Sequence, residues 1–179
     1  MLSAMTEAQL LQECHAECQH MVAEIEGLLN GASHEQLQAQ MGPKSWHSLQ
    51  IVDHLVRAHG PYLEACRPVA AQAPTGDGQE VKLKFFTRMI VRQMRKGTAP
   101  APPNLVPPPT PPENIVQTWR DLERDTDEVW ASLQGKSLSH QDFRNPELKI
   151  VRMHLADWVE IRRTHLAYHL PQFRARLKC

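Results

Sequence analysis

Trp158-Val159-Glu160-Ile161-Arg162-Arg163-Thr164-His165-Leu166-Ala167-Tyr168-His169-Leu170-Pro171-Gln172 carries a His-x-x-x-His pair at its centre. Residues four apart on a helix stack on one face, one turn above the other. His165 and His169 can therefore aim two imidazoles at one point. Val151, Leu155, Trp158, Ile161, Tyr168 and Phe173 recur at helical steps around them, so the pair sits beside a buried stripe. A borderline metal ion is presented with two ligands in this way. The pair alone is a weak signal. The chain has ten histidines, and about half a pair at this spacing arises by chance. A metal site needs a third ligand from elsewhere.

Working outward from that helix, the rest of the chain reads as helices too. Residues 6–30 place Leu10, Leu11, Cys14, Cys18, Met21, Val22, Ile25, Leu28 and Leu29 at three- and four-residue steps, and Asn30-Gly31 is a stop signal. A short helical turn is expected at 34–41. A second long helix spans 48–70, with a kink expected at Gly60-Pro61, and 71–79 reads as a loop. Residues 80–96 form a basic amphipathic segment. Phe85, Phe86, Met89, Ile90 and Met94 lie on one side, packed on the core, with lysines and arginines around them. A membrane-surface or partner-binding helix is the alternative for it. Residues 99–112 hold eight of the fourteen prolines and predict an extended, polyproline-like connector. A third long helix follows at 112–133, with Pro112 and Glu113 in its first turn. The fourth, at 150–176, carries the opening motif and is expected to end or bend at Pro171.

Few segments alternate with the period of a strand, so the expected fold class is all-α. Four long amphipathic helices predict a four-helix bundle. The connection between the second and third is about forty residues, which suits a long crossover better than a tight turn. The chain, 1–179, reads as a single domain large enough to bury a core.

Composition removes several function classes. Lys+Arg and Asp+Glu both number 20, which excludes a nucleic-acid binder held by bulk positive charge. No apolar run reaches the length of a membrane span. The start, Met1-Leu2-Ser3-Ala4-Met5-Thr6-Glu7, has no basic region followed by an apolar stretch, so the expectation is a cytoplasmic protein. Four cysteines (Cys14, Cys18, Cys66 and Cys179) are too few and scattered for a disulfide framework. Cys14 and Cys18 share a helical face near His15 and His20 and can imitate a metal site, or they are small buried residues. Cys179 is read as an exposed free thiol.

The third ligand has one candidate. His54 lies in Trp46-His47-Ser48-Leu49-Gln50-Ile51-Val52-Asp53-His54-Leu55, within an apolar face. A lone histidine there is more often a core residue bonded to a backbone carbonyl. The pattern Trp-x-x-x-x-Ile-Val-x-His-Leu, followed at the far end of the chain by Trp-Val-x-x-x-x-x-His-x-x-x-His-Leu-x-Gln, resembles the DinB/YfiT-like superfamily. That resemblance implies a four-helix bundle holding a divalent metal ion, zinc or nickel, through His54, His165 and His169. It also implies pairing as homodimers. Some members of the superfamily are thiol S-transferases that use a low-molecular-weight thiol, some are thiol-dependent isomerases, and others are taken as metal-dependent hydrolases of small molecules. Three features depart from the pattern. His47 stands where a small hydroxyl residue usually caps the helix, leaving the cap to Ser48; Gln50 stands where an acidic residue is common, though Gln can serve in a capping box; and the proline connector is long.

Three neutral imidazoles leave the ion's charge uncompensated and a coordination position open. A water bound there has its pKa lowered toward ~7, and a bound thiol deprotonates. Arg57 and Arg162 each lie one turn from a ligand, and one or both are candidates to bind a carboxylate on the substrate or thiol, the alternative being ordinary solvated or ion-paired arginines. No carboxylate is placed to act as general base: Asp53, Glu64 and Asp157 lie off the ligand direction. His59 also points away from His54, and His154 is too far along its helix to share an ion with His165. His15, His20, His34 and His140 read as exposed or structural. The rival to an enzyme is a catalytically silent helical bundle that dimerises or binds a partner. A metal held only for stability is a third reading.

Overall fold

The computed structural model of the protein describes residues 5–43, 45–76 and 78–177. The expectation for Cys179 lies outside them. The fold is mostly helical. In chain order it runs α1 (Glu7–Gly31), α2 (His34–Gln38), α3 (Ser48–Gln72), α4 (Phe85–Arg95), a 3-10 turn at Pro103–Leu105, α5 (Ile115–Ser132), β1 (Phe143–Arg144), β2 (Arg152–Met153) and α6 (Leu155–Leu177). The strands form one small antiparallel hairpin with Phe143 opposite Met153. Among the described residues no helix is long and apolar enough to cross a membrane.

The four long helices sit where the apolar periodicity places them, and side-chain caps fix their starts. Thr6 and Gln9 make a reciprocal capping box at α1. At α3 the cap is His47, not Ser48. Its Nδ1 accepts from the Gln50 N–H, and Gln50 Oε1 accepts from the His47 N–H. A neutral imidazole nitrogen does here what a hydroxyl usually does, and burial keeps it neutral by lowering the His47 pKa. At α6, Asp157 accepts from the His154 and Lys84 N–H groups, tying the first turn to the segment before α4.

Packing centres on α6. It lies along α1, touches α3 and α4, and is flanked by the α3–α5 pair. Trp119, Trp130, Trp158, Phe173 and Ile25 are fully buried. Burial of large apolar side chains at ~25 cal/mol per Å² is the main stabilising contribution.

α3 runs through Pro61 and Pro68, and α6 through Pro171, as the expected spans of 48–70 and 150–176 allow. All three prolines lie on exposed faces, where solvent reaches the carbonyl each one frees. Buried residues beyond them, Leu63, Cys66 and Phe173, hold the helix to the core. Packing there outweighs the ~3 kcal/mol cost of an interior proline. The segment at 80–96 is helical only from Phe85, because Val81 N–H instead bonds Met5 O and Glu80 bridges Thr6. Its core face is Thr87 and Val91; Phe85 is 75% exposed. α6 starts at Leu155 rather than 150, because Val151 N–H is taken by Leu148 O and Arg152–Met153 pair in the hairpin.

Candidate metal centre

His54 comes from α3, and His165 and His169 come from α6. Their Nε2 atoms converge. His54 and His169 lie 3.0 and 3.1 Å from His165 Nε2, and the ligand atoms of the three all lie within 4.8 Å of one another. All three side chains are buried. A tetrahedral ion with bonds of about 2.0–2.1 Å spaces its donors about 3.3 Å apart. The observed separations are close to that spacing. Among the described residues this is the one group of three or more His, Cys, Asp or Glu with such convergence.

Each ring is oriented from behind. His54 Nδ1 is 2.8 Å from the Leu105 carbonyl oxygen, so it carries the proton and leaves the Nε2 lone pair inward. His169 Nδ1 is 3.4 Å from Gln172 Oε1, with the same consequence. These partners are the carbonyl and carboxamide groups that commonly support a metal-bound histidine.

His165 is held differently, by a chain that the sequence did not show. Arg162 donates to Glu123 and, at 2.7 Å, to His59 Nδ1. Arginine has no acceptor, so His59 carries its proton on Nε2. That N–H points at His165 Nδ1, 3.0 Å away. The proton of a neutral His165 is then on Nε2, facing the lone pairs of His54 and His169. A divalent cation at that point takes the proton's place. His59 lies five residues after His54, ~7.5 Å along the helix and ~140° around it. That offset is why it reads as pointing away. The ring of His165 spans the gap, offering one nitrogen to each.

Burial sets the charge of the cluster. It pushes the pKa of His59 and His165 well below the ordinary histidine value, with repulsion among the rings and from Arg162 adding to it. His169 is pushed down to about 3, again by burial first and by His54 second. His54 is lowered by burial, partly offset by the Leu105 carbonyl. Neutral imidazoles are the metal-binding form.

The three histidines open on a cavity of about 740 Å³, a volume in the range of small-molecule sites. Its wall includes Trp46, Tyr62, Phe86, Met89, Ile90 and Met94. The proline crossover, expected to be a mere connector, forms another side: Leu105 supports His54, and Gln50 donates to Pro108 O. Tyr62 is bonded by Asn145, and burial pushes its pKa up to about 12.

The two arginines read as substrate ligands have different places. Arg57 is paired with Asp53, one turn back, and is not among the residues lining the cavity. Arg162 lines it but is 2% exposed and held by Glu123 and His59. Asp157 is taken by backbone N–H groups, and Glu64 is exposed. The carboxylate on the wall is Glu147, which accepts from Asn104. It sits in the hairpin loop, where no helical periodicity singles it out. Compared with protein-family models, with curated proteins and with solved structures, the chain matches none.

Proposed function

We propose that the chain is a metal-dependent enzyme of the DinB-like type. In this reading it is a four-helix bundle that acts on a small molecule as a thiol S-transferase or a hydrolase. The observation that carries the proposal is the convergence of three Nε2 atoms on the wall of a large, mostly apolar cavity. Histidines holding a metal only for stability would need no such cavity beside them.

His54, His165 and His169 would hold the ion, zinc or nickel by the nitrogen donor set. Bound there, it supplies the Lewis acidity that makes a water or a thiol a nucleophile near neutral pH. The chain's own residues do the rest. Leu105 O and Gln172 fix two imidazoles, His59 fixes the third, and the apolar wall excludes water. Among the described residues no cysteine lines the cavity, which favours a low-molecular-weight thiol arriving from solution. Pairing into a homodimer belongs to the same proposal.

Metal analysis of untagged protein tests it. About one zinc or nickel per chain is expected, lost in His165→Ala and His54→Ala variants that still fold. The loaded protein should then consume a small thiol in the presence of an alkylating electrophile, or hydrolyse an activated ester. Substoichiometric metal that both variants retain would sink the proposal. It would favour the silent bundle, whose partner surface would be basic α4 with its exposed Phe85 and Met89.

A further inference from the structure

His165, His169, Gln172 and Arg176 follow one another at steps of four, three and four, and so share one face of α6. All four line the cavity. Helical side chains lean toward the N-terminus, and Arg176 does so: its Nη1 donates to Gln172 O at 2.7 Å. Its Nε donates to Trp46 O at 2.8 Å. Both partners are neutral carbonyls. Among the described residues no carboxylate pairs with Arg176, whereas Arg57, Arg162, Arg163 and Arg174 each pair with one. Burial lowers its pKa with no carboxylate acting against it. A guanidinium pinned by two carbonyls, with no hydrogen bond at Nη2 and no counter-charge among the described residues, is preorganised for an anion.

We propose that Arg176 is the anchor for a substrate carboxylate, and that this enzyme's small molecule is a carboxylate on an apolar body. The proposal deepens the enzymatic reading and rests on it for the word substrate. Gln172 supplies the second donor: its Oε1 faces His169, which leaves its amide N–H groups for the other carboxylate oxygen. Phe86, Met89, Ile90 and Met94 supply the wall for the apolar body, and the two thioethers adapt to its shape. Of the other charges on the wall, Arg162 is held by Glu123, and Glu147 is engaged by Asn104 and would repel a second acid.

Octanoate, octanol, octylamine and inorganic phosphate serve as probes, with binding measured calorimetrically on zinc-loaded and metal-free protein. Octanoate is expected to bind at least about 10-fold tighter than octanol in both forms, with octylamine and phosphate weaker still. Arg176→Gln should weaken octanoate by about 10- to 100-fold and leave octanol unchanged, and Arg176→Lys should recover part of the loss. Equal binding of octanoate and octanol by the wild type overturns the proposal, and that comparison needs no variant to fold. So does an octanoate affinity unmoved by Arg176→Gln, or phosphate binding tighter than octanoate. The metal-free arm separates the two ideas. Arg176-dependent octanoate binding in a chain that takes up no zinc would sink the enzyme and keep the anion site, and zinc uptake without that dependence would do the reverse.

Discussion

Two buried clusters of metal-binding residue types lie in this molecule, and burial acts on them in opposite senses. Around His54, His165 and His169, desolvation favours the neutral ring, which is the form with a lone pair to give. Around Cys14 and Cys18, on α1, it favours the protonated thiol, which is the form that binds no metal. Cys18 is pushed up to about 12, and Cys14 is also raised by burial, Arg163 opposing. Both lie in the hydrophobic core. A dry interior thus readies imidazoles as ligands and disables thiols, unless a cation is already there.

The strongest way to break this comparison is to remove a ligand from each cluster. His165→Ala should lower zinc affinity by more than the ~10- to 100-fold typical of losing a supporting residue. Cys14→Ser with Cys18→Ser should leave zinc stoichiometry unchanged. A titration in which the cysteine variant lost the metal would reverse the assignment.

A smaller effect sharpens the role of His59. His59→Ala should cost about 10- to 100-fold in zinc affinity. It has a second readout that a merely structural role would not move. With His59 in place, a cation at Nε2 of His165 would displace the proton there to solvent and leave the ring as an imidazolate hydrogen-bonded by His59, so uptake of one zinc at pH 7.5 should release about one proton into a weak buffer. Without His59 the proton can move to Nδ1 of His165, and release should fall toward zero. Equal release by both proteins would break the hydrogen-bond chain inferred from Arg162.

How much of this was legible in the sequence follows from which forces leave a periodic mark. The four long helices and the His-x-x-x-His face did, because burial repeats at the helical period. His54 as the third candidate ligand was legible only through the resemblance, since among Ile51 and Leu55 it reads equally well as a core residue. The prolines in α3 and α6 leave a local mark, but whether a helix runs on through them is decided by tertiary packing. The part of the proline crossover that meets the histidine cluster is the Leu105 carbonyl, and backbone groups carry no residue signature. Arg162 beside His165 was seen, but its partner Glu123 is 39 residues away in α5, so its engagement could not be read. Arg176 lay on the same face as the two histidines and was passed over.

Acid should separate the clusters again. The histidine pKa values are depressed in the folded chain relative to about 6.5 unfolded. Below pH 6.5 the unfolded chain therefore binds protons that the folded chain refuses. The stability present above 6.5 is lost as pH falls toward the folded values. Each such histidine contributes about 1.4 kcal/mol per pH unit, or about 3–6 °C in Tm for a chain of this size. Metal-free protein should melt lower at pH 5.5 than at 6.5, and His169→Gln should flatten that slope. Replacing Cys14 and Cys18 should not change it, because raised thiol pKa values leave both groups protonated throughout that range. An identical slope in His169→Gln would show that the cluster is not held neutral by burial, and the contrast between imidazole and thiol would lose its basis.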